Sequence, residues 1–152
     1  MQAEDAFTAF MKDTQPRVAI ALTAAFGSDR ASEATAEAFV YIWQNWNRIS
    51  DMENPAGYVY RVARSRIRPA RAWRPLQSPP SRSVERHVEP GLRAAMENLS
   101  PRQRSVVVLA EGYGYMDQEV AATLGISRSS VRRHRERGLS KLRRALGVSI
   151  DE

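Results

Sequence analysis

The chain has 152 residues, a net charge of +6 and no cysteine, so it can hold one ordinary domain or two small ones, and disulfide frameworks and thiolate zinc sites are excluded. Its apolar fraction of 43% is that of a globular protein rather than a disordered chain. No apolar run is long enough to cross a bilayer, and Glu4 and Asp5 stand where a secretory signal would be basic, so we expect a cytoplasmic protein with no membrane partner.

The charge is divided unevenly along the chain. Residues 1–60 contain four basic and eight acidic residues, a net charge of −4, whereas residues 61–152 contain nineteen and nine, a net charge of +10. A basic segment joined to an acidic one indicates a polyanion partner for the basic part, and nucleic acid is the first candidate. A charged surface that serves only solubility is the alternative.

Helical spacing of apolar residues dominates the first part of the chain. It predicts a helix from Phe7 to about Phe26, in which Pro16 leaves either one bent helix or two short ones. A second helix is expected from about Ala31 to Trp46, with Ser28 or Asp29 as its cap. The residues expected on its apolar face are Ala38, Phe39, Ile42, Trp43 and Trp46.

A polar segment separates this helix from the next one. Residues 47–54 are predicted to form a loop, and Pro55 is well placed in the first turn of a further helix that runs through Ala63. Residues 69–90 then hold five prolines among serines and arginines, which predicts a flexible linker.

Helical spacing returns after the linker, over residues 92–99. Ser100 followed by Pro101 is typical of a helix start, and the glycines at 112 and 114 end that helix. No alternation typical of strands occurs anywhere. We therefore predict an all-α fold of two small helical domains, 1–72 and 90–147, joined by a Pro/Arg/Ser-rich linker over 73–89.

The segment LGISRSSVRRHRERGLSKLR, residues 124–143, predicts a helix-turn-helix. The small Ala121 lets two helices approach closely, Gly125 can adopt the left-handed conformation that ends the first helix, and Ser127 can cap the second. The residues expected to face inward are Val120, Leu124, Ile126, Val131, Gly138, Leu139 and Leu142.

Basic and small polar residues occupy the outward positions of the second helix. They are Arg128, Ser129, Arg132, Arg133 and Arg137. Arginine can bind guanine with two hydrogen bonds in the major groove or hold phosphate through several donors, so this helix is predicted to recognise duplex DNA. A solvated basic helix in a purely structural bundle is the alternative.

A second basic cluster lies in residues 61–74, which contain no acid. Its members are Arg61, Arg64, Arg66, Arg68, Arg71 and Arg74, with Trp73 among them and Tyr58 and Tyr60 just before. Basic groups with aromatic rings suit single-stranded or distorted DNA, because unstacked bases find aromatic faces while phosphates meet positive charge. Alternatively, Tyr58 and Val62 pack the domain and the arginines are simply solvated.

Catalytic signatures are missing from the sequence. Of its two histidines, His87 lies in the linker and His134 on the recognition helix, and no glycine-rich phosphate loop, metal-ligand spacing or nucleophile motif occurs. We therefore expect no enzyme activity, no cofactor, no metal and no small-molecule substrate.

Through these motifs the chain resembles the bacterial RNA polymerase sigma factors of the extracytoplasmic-function type, which consist of a helical region 2, a linker and a helical region 4. The resemblance covers about residues 7–146. Residues 31–43, ASEATAEAFVYIW, resemble the helix that binds core polymerase, and residues 54–71, NPAGYVYRVARSRIRPAR, resemble the promoter-melting and minus-ten segment. Residues 99–146 resemble the region that binds the minus-thirty-five element.

This resemblance implies a promoter-specificity subunit that binds core RNA polymerase and directs transcription initiation by sequence-specific DNA binding. The implied partners are core RNA polymerase, promoter DNA and an anti-sigma protein. The residues implied in polymerase docking are Glu33, Ala36, Glu37 and Phe39. Those implied at the minus-ten element and in melting are Asn47, Asn54, Tyr58, Arg61, Arg64, Ser65 and Arg68. Those implied at the minus-thirty-five element are Arg128, Ser129, Ser130, Arg132, Arg133 and Arg137.

The chain departs from the family pattern at several positions, and residues 33–36 read Glu-Ala-Thr-Ala where the family usually has Asp-Leu-Val-Gln. Ala36 replaces a glutamine and so lacks a polar contact to polymerase, while Tyr58 and Ser65 replace a common Trp and Asn. Pro69 falls where the region 2 helix normally continues, so that helix is expected to stop near residue 68. Met116 replaces the Ser or Thr that usually caps the first helix of the helix-turn-helix, with residue 117, an Asp, as a substitute cap.

Two other functions fit parts of the sequence. LSPRQR followed by a helix-turn-helix also resembles the output domain of response regulators, but residues 1–90 show neither the alternating strands and helices nor the phosphorylated aspartate of a receiver domain. The first alternative is therefore a helix-turn-helix transcriptional regulator of another kind. The second is a degenerate sigma homologue that acts through protein partners.

Overall fold

The computed structural model describes residues 2–68 and 90–148, here called the amino-terminal and carboxy-terminal halves, and every regular element in these ranges is a helix. The predicted all-α fold is confirmed. The helices are α1 Gln2–Phe26, α2 Ser28–Gln44, α3 Trp46–Ile49, α4 Pro55–Ser65, α5 Pro90–Glu97, α6 Pro101–Val107 with a π-helical continuation Val108–Gly112, α7 Asp117–Leu124 and α8 Arg128–Leu146. The predicted linker, residues 73–89, lies outside the described residues. So do Pro69 and Arg71, which precede it, and Trp73, Arg74 and His87 within it.

Helix α1 is one continuous helix that contains Pro16. A proline in a helix interior removes a backbone hydrogen bond and costs about 3 kcal/mol. Val18 and Leu22, one turn apart, are fully buried, and burial of such side chains stabilises by about 1.5–3 kcal/mol each. The packed face therefore outweighs the proline, which explains why two short helices, one of the predicted forms, do not occur.

The turn between α1 and α2 is made by Gly27 alone. Its φ of +89° is a backbone conformation that glycine adopts without strain, and its N–H donates to the carbonyl of Thr23 at 2.9 Å. Because the chain reverses within one residue, Ser28 and Asp29 already lie inside α2 and neither caps it. The predicted cap is therefore wrong.

Helix α2 ends earlier than predicted, and part of the predicted loop 47–54 is helical. Trp46 and Ile49 are buried at the start and end of the single turn α3, so packing of these two side chains orders residues that look polar in sequence. Trp43, predicted on the apolar face, is 43% exposed, although its ring lies 4.9 Å from that of Phe7. It sits at the edge of the core rather than within it.

Helix α4 begins as predicted and ends sooner. The side chain of Asn54 accepts a hydrogen bond from the N–H of Gly57, and Pro55 occupies the first turn. The helix stops at Ser65 rather than near Arg68, and the next two N–H groups bond three residues back instead of four. A residue before proline disfavours helical backbone, so Arg68 leaves the helix and the turn before it tightens.

The helix-turn-helix forms from the local signals seen in the sequence. Ser100 and Gln103 form a reciprocal cap at the start of α6, Gly125 is left-handed with φ +66°, and Ser127 accepts from the N–H of Ser130 at the start of α8. All three predictions are confirmed. The substitute cap is not: residue 117 is already the first residue of α7, and the carboxylate of Glu119 accepts from the Met116 N–H instead.

The two halves pack against each other through a shared core. Helix α1 lies against α6, and α4 lies against α7. Fully buried residues of both halves join in one cluster: Val18, Leu22, Ile42, Ile49 and Val59 from the first, and Val106, Leu109, Val120 and Val131 from the second. A smaller cluster joins α5, α6 and α8. Of the helices in the described ranges, none is long and apolar enough to cross a membrane.

Candidate nucleic-acid and polymerase interfaces

Helix α8 is held by one buried face. Val131 is fully buried and Leu142 nearly so, while Leu139 and Ile126 are half-buried at the edges of the two core clusters. At Gly138 an added β-carbon would lie 2.8 Å from Cγ2 of Val107, so α8 crosses α6 at a distance that only glycine permits. This packing confirms the predicted inward face and fixes which side of α8 meets solvent.

The opposite face of α8 carries the residues expected to bind DNA. Arg128, Ser129, Arg132, Arg133 and Arg137 are all exposed. Ser130 is half-buried and belongs to the helix start, because its N–H and hydroxyl both bond to Ser127. Nineteen residues of α8 span about 28 Å at 1.5 Å per residue, which suffices for its first turns to enter a major groove.

A second basic surface lies on the carboxy-terminal part of α4. Arg61, Arg64, Ser65 and Arg68 are exposed, and Arg68 pairs with Glu33 of α2 at 3.1 Å. A similar but longer contact, 3.9 Å, joins Arg66 to Glu37. Both pairs are open to water, so each contributes at most about 1 kcal/mol to stability, and they place the predicted docking acids beside the predicted melting arginines.

An aromatic and cationic cluster adjoins this surface. The Arg48 guanidinium lies 5.8 Å from the centre of the Tyr58 ring and donates to the Tyr41 hydroxyl at 3.2 Å. A hydrogen bond with Tyr41, and then one with Arg48, lowers the pKa of Tyr58. Arg48 was missed by the sequence analysis because it stands alone in α3, outside the run of arginines at 61–74.

The predicted docking residues lie along α2. Glu33 and Ala36 are exposed, Glu37 is half-buried, and Phe39 is buried. Phe39 and Ala36 line a groove of about 410 Å³ between α1 and α2, which Met11 also borders. Phe39 therefore shapes the groove from beneath, whereas the exposed face of α2 offers acids and a methyl group.

Comparison with known proteins identifies the family. Residues 95–144 match the model for sigma-70, region 4. The RNA polymerase sigma-E factor of Streptomyces antibioticus is 32% identical over 129 aligned residues, which cover 76% of this chain and 70% of that protein. The RNA polymerase sigma-E factor of Streptomyces avermitilis matches to the same extent. The chain belongs to the extracytoplasmic-function sigma factors. It is a DNA-binding, helix-turn-helix protein of transcription, and sigma factors are not enzymes.

The two helices of the helix-turn-helix in this sigma factor are joined by an ion pair. Asp117, at the start of α7, accepts a hydrogen bond from Arg135 of α8, and Arg132 approaches its other carboxylate oxygen at 3.7 Å. The Arg135 and Asp117 side chains are mostly buried, so Arg135 serves the fold rather than DNA. Sequence reasoning expected a cap at Asp117 because the approach of α8 is not visible in the chain itself.

His134 lies beside the predicted DNA-binding face of α8 without belonging to it. Its side chain is half-buried, and among the described residues its Nδ1 has no hydrogen-bond partner. Burial, followed by the charges of Arg102, Arg133 and Arg137, lowers the pKa of His134. Arg102 of α6 thus joins the positive surface around α8, which its position in the sequence does not reveal. In the described ranges, no group of His, Cys, Asp or Glu could hold a metal ion.

Asn47 and Asn54 differ in their availability to DNA. Asn47 is exposed on α3. Asn54 uses both ends of its amide: the oxygen caps α4 at Gly57 N, 3.2 Å away, and the nitrogen donates to the Ala122 carbonyl of α7 at 2.9 Å. One of the residues expected at the minus-ten element is therefore bonded to the helix-turn-helix half of the same sigma factor.

Proposed function

We propose that this sigma factor binds core RNA polymerase and directs transcription initiation, reading the minus-thirty-five element with α8 and meeting the minus-ten strand with α3 and α4. The observation that carries the proposal is the exposed arginine face of α8. That face is fixed by the buried opposite face of the helix and by the close crossing of α6 at Gly138. Such a helix, held rigidly by one side, can place its other side in a major groove.

At the minus-thirty-five element, the proposed contacts come from the first three turns of α8. The residues are Arg128, Ser129, Ser130, Arg132, Arg133 and Arg137. Their spacing along one face supports a division of labour in which some arginines bind base edges and others bind phosphate. Arg102, whose charge acts on His134 beside α8, adds to the phosphate-facing side.

At the minus-ten element, the proposed surface is the cluster around α4. Its residues are Asn47, Asn54, Tyr58, Arg61, Arg64, Ser65 and Arg68, to which the structure adds Arg48. The position of Arg48 over the ring of Tyr58 supports this, because unstacked bases bind aromatic and guanidinium faces whereas phosphates bind the surrounding charge.

The remaining assignments concern organisation and partners. We assign residues 1–72 to region 2, residues 73–89 to the linker and residues 90–147 to region 4. The α2 surface of Glu33, Ala36, Glu37 and Phe39 is proposed to dock on core polymerase. A cytoplasmic location and an anti-sigma protein as regulator complete the proposal, in which the chain needs no cofactor and has no activity as an enzyme.

Purified bacterial core polymerase provides the test. We expect the chain to co-elute with core polymerase in size-exclusion chromatography and to bind promoter duplex in fluorescence anisotropy. Arg133→Ala should weaken duplex binding about 5- to 150-fold, as for the loss of a base contact, and leave co-elution unchanged. Arg93→Ala, at an exposed position of α5, is the matched control and should change neither.

One observation favours a second candidate, a helix-turn-helix regulator or degenerate sigma homologue that acts through other proteins. Ala36 is exposed on the docking surface and offers a methyl group where polymerase would meet a polar side chain. Duplex binding without co-elution would support this second function and contradict the first. Ala36→Gln, which adds an amide at that point, should then restore co-elution.

A further inference from the structure

The carboxylate of Asp117 is shared between two arginines of α8. Its Oδ1 accepts a hydrogen bond from Nη1 of Arg135, and its Oδ2 lies 3.7 Å from Nε of Arg132. Each oxygen therefore meets a different side chain. Because two positive charges face one negative charge, the cluster as a whole stays positive and still attracts DNA phosphate.

The link between α7 and α8 runs through Arg135. This residue follows Val131 by four positions and precedes Gly138 by three, so it lies on the inward face of α8 between two buried residues. Its side chain and that of Asp117 are mostly buried, and a charge-assisted hydrogen bond joins them. The contact of the same carboxylate with Arg132 needs another explanation.

Arg132 meets Asp117 with the nitrogen nearest its aliphatic stem. The contact is made by Nε, so Nη1 and Nη2 at the tip of the guanidinium are left for other partners. The side chain of Arg132 is 57% exposed and that of Asp117 only 23%, so the acid holds the arginine from the protein side. Arg133 is held in the opposite manner, because its terminal Nη2 lies 3.4 Å from the Ser130 hydroxyl.

An unrestrained arginine on a DNA-binding helix can bind either a base or a phosphate. Two parallel N–H donors match O6 and N7 of guanine in the major groove, and the same donors match two phosphate oxygens. Phosphate carries a full negative charge, and contacts to it carry no sequence information. A fixed carboxylate beside Nε restrains the side chain and repels phosphate, and both effects favour the base.

We propose that Asp117 is a positioning residue for base recognition, which holds Arg132 at Nε so that its two terminal nitrogens face a guanine of the minus-thirty-five element rather than a phosphate. The inference rests on the proposed function of α8. It assigns Asp117 two separate tasks, one in the fold through Arg135 and one in sequence discrimination through Arg132.

Selection from a duplex library randomised across the minus-thirty-five element locates the base pair concerned. The full chain, bound to core polymerase, is the selecting species, and the bound duplexes are sequenced. The wild-type chain should prefer guanine at one position where Arg132→Ala shows no preference. Asp117→Asn should lose the preference at that same position and keep the preferences elsewhere, whereas general damage to the helix-turn-helix would weaken all positions together.

Fluorescence anisotropy then measures the discrimination at that position. The two probes are the selected duplex and the same duplex with this G·C pair replaced by A·T. For the wild-type complex the affinity ratio should be about 5- to 150-fold, as for a bidentate arginine–guanine contact. Asp117→Asn should lower the ratio about fivefold or more, since a free arginine must be ordered on binding and can bind phosphate instead. Its affinity for the replaced duplex should rise.

Two comparisons separate positioning from charge and from stability. Glu136→Gln removes the same charge from an exposed position of α8, so affinity for both duplexes should rise alike and the ratio should stay unchanged. Arg135→Gln breaks the link to α7 but leaves Asp117 beside Arg132, so it should lower the free energy of unfolding and keep the ratio. In an Arg132→Ala background, Asp117→Asn should have no further effect on the ratio.

An unchanged ratio in Asp117→Asn would overturn the inference, and so would an equal loss of discrimination in Arg135→Gln. If Asp117→Asn alone loses helical circular dichroism, Asp117→Asn combined with Arg135→Gln leaves two neutral amides that can bond to each other, and its ratio against Arg135→Gln decides the question. Failure of the proposed function is seen separately. A wild-type complex that selects no sequence contradicts recognition by α8, whereas a sequence selected equally by wild type and Asp117→Asn contradicts the positioning role alone.

Discussion

Replacing Gly138 with alanine tests the close crossing of α8 over α6. The new β-carbon would lie 2.8 Å from Cγ2 of Val107, well inside ordinary contact. Alanine stabilises a helix interior by about 0.8–1 kcal/mol relative to glycine, whereas overpacking a filled core destabilises by about 1–3 kcal/mol. Because Val107 is buried and cannot swing away, we expect Gly138→Ala to lower the free energy of unfolding by about 1 kcal/mol.

Thermal and urea unfolding, followed by far-ultraviolet circular dichroism, measure this change. A loss of 1 kcal/mol lowers Tm by about 2–4 °C in a chain of this size. In a Val107→Ala background the offending methyl is gone, so the same substitution should raise Tm instead. Gly112→Ala, whose β-carbon would lie 3.8 Å from Val108, is the control for helical glycine. If Gly138→Ala raises Tm equally in both backgrounds, the crossing is wider than described.

Three further predictions concern the helix-turn-helix. Asp117→Asn removes the ion pair with Arg135. It should lower the free energy of unfolding in urea by about 1–2 kcal/mol. It should also strengthen duplex binding at low salt, because a negative charge is removed from beside the proposed DNA-binding face of the protein. Ser127→Ala removes the α8 cap and should cost about 1 kcal/mol, with Ser127→Asp restoring it; equal stability of all three forms would contradict the cap. Because the pKa of His134 is lowered in the folded chain, the unfolded chain binds that proton more tightly, and stability is lost as pH falls below about 6.5. His134→Gln should therefore flatten the fall in stability from pH 7 to pH 5, and an unchanged slope would contradict the assignment.

Features set by neighbouring residues could be predicted from the sequence. The left-handed Gly125, the Ser127 cap and the reciprocal cap of Ser100 depend on backbone groups within a few residues. The apolar spacing that buries Val131 and Leu142 is also contained in one helix. For these elements the local conformational preference and the tertiary packing agree, so the sequence was enough.

Features set by contacts between distant segments could not be predicted. Helix α3 is a single turn, too short for a periodic pattern, and it forms because Trp46 and Ile49 are buried. Asp117 looks like a cap until α8 brings Arg135 to it. Arg104 is one of many arginines in the chain. Its hydrogen bonds to the carbonyls of Ala24 and Ala25 depend on where the last turn of α1 lies.

Run-off transcription with purified core polymerase tests the central claim most directly. On promoter fragments, the wild-type chain should direct a discrete transcript, Arg133→Ala should reduce its yield about 5- to 150-fold under limiting sigma factor, and Arg93→Ala should leave it unchanged. A transcript of equal yield from all three proteins would contradict recognition by α8. No transcript from the wild-type chain, under conditions where it binds the promoter duplex, would contradict its function as a promoter-specificity subunit.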